Sequence, residues 1–291
     1  MAFTNSIALA KAYVPILDDV YKVGALTSVL DGSPELVREG ANANELLVYK
    51  MSMDGLANYS RNGGYVDGNV SGQWETIPVD FDRGRLFQTD VMDDLETAGL
   101  AFGRLAGEFI RTKVAPEVDA WRLAKYASTA GVGGDTGTLA TAADTIAALR
   151  AATNTMDEAE VEEADRVLFI TPSLEGAIHD LDTIKSREVL SRFSQVVRVP
   201  QTRFYTAIDL LDGTTSGAEA GGYTKATAGK DINFMIVQKR AVIQFPKHTA
   251  PKIISPEVNQ HADAYAFGYR LVGVADVYDN KLNGVYVHHK A

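Results

Sequence analysis

From Val91 onward the apolar residues Val91, Leu95, Ala98, Phe102, Leu105 and Phe109 recur at alternating steps of four and three, the stripe of an amphipathic helix. Asp90 suits the N-cap, and Asp93, Asp94 and Glu96 put negative charge where the first turns favour it, which accounts for the acidic cluster without a metal. Pro116 should kink or restart the helix, which resumes through Val118, Trp121 and Leu123 to about Tyr126. At about 1.5 Å per residue the whole stretch would be on the order of 50 Å long. A helix of that length in a chain of 291 residues is not a packing element of a compact sphere. It is a spine, and other parts must attach to it.

The segment before the spine explains little by itself. "ELLVYKMSM", 45–53, reads as one strand and "QWETIPVDFDRGRLFQT", 73–89, as a second, with Ile77, Val79 and Phe81 on one face and Thr76, Asp80 and Asp82 on the other. A glycine-rich tip joins them, and Pro78, which cannot donate to a ladder, puts the second strand at an edge or a bend. A long two-stranded arm is marginally stable alone and needs a surface to lie on. The first 45 residues hold only short apolar runs, Ile7 to Val14 and Val20 to Leu30, cut by Pro15, Gly24, Asp31-Gly32 and "GANANE". They cannot build a core either.

After the spine, "GVGGDTGTLAT" reads as a loop and domain junction, since it lacks the Lys-Ser/Thr of a phosphate cradle and the spacing of a dinucleotide fingerprint. Then come a helix over about 142–155, a buried strand "RVLFIT", a helix opened by Thr171 and Pro172, and strands "SQVVRV" and "INFMIVQKRAVIQF". "DGTTSGAEAGGYTKATAGKD" between the last two reads as an exposed, mobile loop. Near the C-terminus Tyr265, Phe267 and Tyr269 alternate, as do Val285 and Val287, with "NKLNG" as a hairpin turn. The class is α+β.

Composition excludes several chemistries. With no cysteine, there is no disulfide, thiolate zinc site or cysteine nucleophile. A net charge of -10 argues against phosphate-backbone binding as the source of affinity. Lys185, Arg187, Arg192, Arg198 and Arg203 are too spread for a continuous basic stripe and read as a solvated or subunit-contacting face. The start of the chain has no basic region followed by an unbroken apolar one, so no signal peptide is read, and no run approaches a membrane span. Among the histidines, His288 and His289 read as exposed tail residues that point to opposite faces and do not chelate; "DVYDNKLNG" lacks the spacing of a calcium loop. There is no catalytic motif and no cofactor site. The enzyme alternative would be a hydrolase using carboxylates such as Asp180 and Asp182.

An N-terminal segment without its own core, a long hairpin, a spine helix, a central α+β domain and a returning strand, in that order, resemble the major capsid protein of tailed bacteriophages, whose shell fold is shared with encapsulins. "AYVPILDDVYKVGALTSVL" looks like the N-terminal arm of that family, while "VLFITPSLEGAIHDL" and "DAYAFGYRLVGVADVYDNKLNGVYVHHK" resemble capsid proteins of phages infecting Gram-positive bacteria. The resemblance implies an N-terminal arm over 1–45, an extended loop over 46–89, a peripheral domain over 90–131 and 249–275, and an axial domain over 132–248 and 276–291.

It also implies a structural protein that assembles through hexamers and pentamers into an icosahedral head around double-stranded DNA, assembled in the host cytoplasm, contacting that DNA non-specifically, and meeting portal, scaffolding and, in some members, decoration proteins. In that family the hairpin lies over a neighbouring subunit, so Trp74, Ile77, Val79 and Phe81 are expected to pack between chains and Asp80, Asp82, Arg83 and Arg85 to form inter-subunit ion pairs; the alternative is a hairpin folded back on its own body. Pro116, Gly131, Gly133 and Gly134 are the hinge candidates for maturation of a procapsid. Some members weld the loop to another subunit through lysine, but here none lies between Lys50 and Lys113, so closure is expected to be non-covalent. Some carry a scaffolding segment ahead of the arm; here the arm starts at about residue 5, and a separate scaffolding protein is expected. The alternative within the fold is an encapsulin-type compartment of a bacterium.

Overall fold

The computed structural model describes residues 21, 24–32, 37–39, 45–92, 100–181, 184–260 and 262–291. A short strand β1 (Val37–Glu39) and two long ones, β2 (Glu45–Met53) and β3 (Val70–Pro78), pair antiparallel, with Glu45 opposite Pro78 at the root and Met53 opposite Val70 at the far end. The expected arm is there, and β3 is its edge strand, ending on Pro78 where a missing N–H costs least.

The chain then breaks at Val79 and Asp80 and enters β4 (Phe81–Asp90) in a different sheet, so the strand read over 73–89 is in fact two. The break separates two apolar anchors: Ile77 packs with Ile243 and Val274, whereas Phe81 joins the main core.

The spine begins as read. The Asp90 carboxylate accepts from the Met92 N–H at 2.9 Å; Asp93, Asp94 and Glu96 lie outside the described residues. Helix α1 (Leu100–Phe109) passes through a π turn at Ile110–Val114 into α2 (Ala115–Ser128). Pro116 has no N–H to return to the Thr112 carbonyl, so the irregularity it forces appears as a widened turn just upstream. The Thr112 hydroxyl donates to the Glu108 carbonyl there at 2.6 Å. The buried line is Ala106, Ile110, Val118 and Leu123, while Leu105 and Phe109 are half-buried.

Beyond the spine follow β5 (Gly133–Thr136), α3 (Ala142–Glu158), β6 (Arg166–Ile170), α4 (Pro172–Asp180), α5 (Ile184–Ser191), β7 (Gln195–Arg198), β8 (Ile208–Leu210), β9 (Tyr223–Lys225), β10 (Ile232–Gln238), β11 (Val242–Ile254), β12 (Ala264–Val277) and β13 (Val285–His289). Five strands form one sheet in the order β5-β13-β10-β6-β7, and β11-β12-β4 form another. In the first, "RVLFI" and "INFMIVQ" are buried throughout, because both faces are covered. Leu149, Met156, Ile178 and Val189 of α3, α4 and α5 pack on Leu168 and Phe234, and the other face joins the core shared with α2. A capping box of Thr141 and Asp144 starts α3.

Three readings of the connections are corrected. "INFMIVQKRAVIQF" is split by a tight turn at Lys239–Ala241 that passes the chain between sheets. "NKLNG" is not a hairpin turn: a short helical segment, Asp279–Gly284, carries β12 into β13 of the other sheet. Gly133 and Gly134 are in β5, parallel to β13, and an added Cβ on Gly134 would strike the Val287 carbonyl. Among the described residues no helix is long and apolar enough to cross a membrane.

Candidate assembly surface

Strand alternation sorts the arm into two faces. The register sets Tyr49 opposite Trp74, Met51 opposite Gly72 and Met53 opposite Val70, so these six share one face, while Ser52, Ser71 and Gln73 fall on the other. The Tyr49 and Trp74 rings meet at 5.2 Å. Gly72 makes room for that tyrosine, whose hydroxyl any Cβ at position 72 would strike.

Met51, Met53, Val70 and Trp74 are exposed, and the tip adds exposed Leu56, Tyr59, Tyr65 and Val66. The tip is closed by reciprocal backbone bonds between Ser60 and Gly64, with the Tyr59 and Tyr65 rings 4.9 Å apart. A run of apolar side chains this long, left in solvent, marks an interaction surface.

The root is different: several of the residues expected between chains have partners within this one. Phe81 is 2% exposed and lies 4.5 Å from the Trp121 ring. Ile77 is buried on Ile243 and Val274, with Val79 packed beside it. The charges find partners within the chain: Lys125 donates to Asp80 at 2.5 Å, and Arg270 donates to Asp82 at 2.8 and 2.5 Å, which holds the Asp82 carboxyl below its usual range. Arg83 donates to Glu117 at 2.7 Å and to the Gly222 carbonyl at 3.2 Å, and Arg85 to the Glu219 carbonyl at 3.0 Å. Of the eight residues, Trp74 alone sits on the exposed apolar face. Phe81, Asp82, Arg83 and Arg85 fold back because β4 is stitched to β12 and lies beside α2, and Ile77 and Val79 because they pack on Ile243 and Val274. The signal for the missed residues was the alternation in "YKMSM" and "VSGQW".

In the basic stretch several of the arginines have partners within the chain. Arg192 pairs with Asp157 and Glu163, Arg198 with Glu175, and Arg203 with the buried Asp119. The hinge candidates are placed differently from one another: Pro116 lies at the π turn, Gly131 has a left-handed backbone against Leu282, and Gly133 and Gly134 are paired in β5.

A buried polar tie, unread in the sequence, joins the N-terminal segment to the spine. Asp119 accepts from the Leu26 and Thr27 N–H groups at 2.9 and 3.0 Å and from the Thr27 hydroxyl at 2.7 Å. Arg122 donates to the same hydroxyl at 3.1 Å, Gln244 donates to the Thr27 carbonyl at 2.7 Å, and Tyr126 donates to Gln244 at 2.8 Å. Its faint signal is a charged pair three apart inside "VDAWRLA".

His288 is buried, contrary to its reading as an exposed tail residue. It stacks on Phe234 at 5.0 Å, and its Nδ1 lies 3.0 Å from Asn233 Nδ2, which also donates to the Gly137 carbonyl.

A cavity of about 1370 Å³ lies between β4, the spine and residues 211–225. Its carboxylates are engaged: Asp82 with Arg270, Glu108 with Arg111, Glu117 with Arg83, and Asp212 with Thr214 and Thr215, the Thr215 hydroxyl first among the groups holding it well below the usual range. Asp180 is exposed and does not line it, and Asp182 lies outside the described residues. Among the described residues no cluster of metal-ligating side chains forms.

No protein-family model matches the chain, and no curated protein matches it. Solved structures do. The capsid of Myoviridae phage XM1 aligns with a TM-score of 0.58 at 14% identity, over 91% of each chain. A chain of Gordonia phage Cozz aligns at 0.59 and 15% identity, over 92% of this chain and 86% of that one. A virus-like particle from Pyrococcus furiosus aligns at 0.56 and 13%, over 94% and 95%. At such identities the likeness speaks for the fold, and nearly the whole of each chain takes part in it. The chain has the fold of the tailed-phage capsid shell.

Proposed function

We propose that this chain is a structural shell subunit, the major capsid protein of a tailed phage of the kind found in Gram-positive hosts, and not an enzyme. Copies associate through hexamers and pentamers into an icosahedral head that encloses double-stranded DNA. The observation that carries this reading is the arm: a hairpin anchored at its root by Phe81 and Ile77, with Met51, Met53, Val70 and Trp74 left uncovered. A second copy can cover that face, since it is an identical subunit with the same need, and closed symmetry satisfies that need for every copy at once. The acidic balance of the chain suits a wall that holds DNA without gripping it. Scaffolding, portal and decoration proteins are the further partners this role calls for, and the virion is where the protein resides.

A second reading, a compartment shell around a protein cargo, shares the fold, as the virus-like particle among the neighbours illustrates. Negative-stain electron microscopy with light-scattering mass on the purified chain, with and without a co-expressed scaffold, tests assembly. Closed shells or rings of five and six are expected, and nucleic acid inside particles recovered from infected cells decides for the head. A chain that stays monomeric at every concentration in the presence of its scaffold sinks the proposal.

A further inference from the structure

Residues 211–222 take in the start of the stretch, 212–231, that reads in sequence as an exposed, mobile loop. Four of their glycines, Gly213, Gly217, Gly221 and Gly222, take left-handed backbone conformations, and glycine loses more freedom on ordering than any other residue. Something must hold this segment. Two guanidinium groups of β4 do so: Arg85 Nη2 donates to the Glu219 carbonyl at 3.0 Å, and Arg83 Nη2 to the Gly222 carbonyl at 3.2 Å while its Nε stays on Glu117 of α2.

The Gly222 carbonyl also accepts from the Leu211 N–H at 2.9 Å, closing the segment's two ends on each other. The fit around Arg85 is close. A Cβ on Gly213 would stand 2.7 Å from Arg85 Nη1, and one on Gly221 3.4 Å from it, whereas one on Gly217 would meet nothing.

This segment lines the cavity together with an aromatic surface made by Phe87, Phe109 and Tyr269, in which Phe109 meets Phe87 edge-on at 4.7 Å and Tyr269 at 6.2 Å. We infer that residues 211–222 are a lid on this aromatic cavity and that Arg83 and Arg85 are its clasp. The inference concerns the single chain and stands apart from the shell reading. Because the acceptors are backbone carbonyls, no side-chain change on the lid removes them, and salt screens such bonds less than it screens an exposed ion pair. A shut lid keeps an apolar surface from indiscriminate contacts and leaves the arm as the uncovered one.

The test is hydrogen exchange followed by mass spectrometry on the unassembled full chain, with fluorescence of a dye that reports exposed apolar surface. Arg85→Ala, Gly213→Ala and Gly217→Ala are compared with the unaltered chain. Both glycine variants force alanine into a left-handed backbone, but only Gly213→Ala displaces Arg85.

Arg85→Ala and Gly213→Ala should raise exchange over 212–222 about tenfold or more, with brighter dye and unchanged exchange in β6 and β10, and should exceed Gly217→Ala by at least about threefold. Exchange in Arg85→Ala within about twofold of the unaltered chain overturns the clasp, as does a Gly217→Ala effect equal to that of Gly213→Ala. In the unaltered chain, protection of 212–222 should persist in about 1 M salt; its loss there would assign the hold to ion pairs and overturn the inference without any variant.

Discussion

Trp74→Ala separates a subunit's own stability from its association. Trp74 is 45% exposed, and a tryptophan can bury about 250 Å². Covering what remains open would remove about 110 Å² from water, worth about 2.8 kcal/mol at about 25 cal/mol per Å². That is roughly a hundredfold in the association constant of one contact. Within the chain the tryptophan's ring partner is Tyr49, and an aromatic pair on a solvated strand contributes about 0.5–1.5 kcal/mol. The unassembled chain should therefore lose about 1 kcal/mol in urea denaturation, while the threshold concentration for shells, read by light scattering, rises by well over tenfold. A subunit destabilised by more than about 3 kcal/mol, or a threshold moved less than about threefold, would refute the assignment of this face to assembly.

Phe81→Ala should behave in the opposite way: at 2% exposed and packed on Trp121, it should cost the unassembled chain about 3–5 kcal/mol in urea, and a cost below about 1 kcal/mol would remove Phe81 from the core. Asp119→Ala leaves the Leu26 and Thr27 N–H groups and Arg203 without their acceptor, so about 3–5 kcal/mol should be lost, with exchange at 26–31 rising more than in β6; unchanged exchange there contradicts the tie. Burial holds His288 below the ordinary 6.5, with His289 adding to the depression and Asp135 opposing it. The unfolded chain then binds more protons, so the stability from this site is complete above about pH 6.5 and declines as pH falls below it. His288→Gln should flatten the fall in melting temperature between about pH 7 and pH 5, and an equally steep fall in the variant would exclude His288 as its source. Mature shells on a denaturing gel should give monomer-sized bands, since no lysine lies between Lys50 and Lys113; ladders linked through the arm would contradict this.

Periodic features were legible. The hairpin, the helix of the spine and the buried strands "RVLFI" and "INFMIVQ" follow from local pattern, and the structure has them over its described residues. What failed to show in the sequence was where the chain leaves one sheet for another. Val79-Asp80 sits within an alternation that runs on through Ile77, Val79 and Phe81, Lys239–Ala241 interrupts an apolar run by too few residues to mark a change of sheet, and "NKLNG" marks a turn without saying which sheet it leads to. The partners that the charges at the arm root have within the chain escaped local reading for a related reason. A pattern of Asp80, Asp82, Arg83 and Arg85 shows that these side chains leave the apolar face, but their partners Lys125, Arg270, Glu117 and Glu219 lie between 34 and 188 residues away, beyond any local rule. The exposed face of the arm was readable in "YKMSM", but alternation alone cannot tell a face that meets its own core from one that meets a neighbour.

That difference between root and shaft bears on how such a subunit would assemble. Charges near the root are satisfied at home, so contacts made by the arm are left to apolar side chains, which attract without fixed direction. Directional ion pairs would prefer one angle between neighbours, yet rings of five and of six in the proposed shell present different angles to the same arm. Two of the exposed side chains on its face are methionines, unbranched and with three rotatable bonds, which refill an altered gap at little cost. Tyr49 and Trp74 keep a rigid aromatic patch beside them, made possible by the missing Cβ at Gly72. A stiff patch to set where the arm lands and a pliable one to absorb the change in angle is a combination that serves both rings with one sequence, and substituting β-branched isoleucine for Met51 and Met53 would keep the apolar area while removing the pliability.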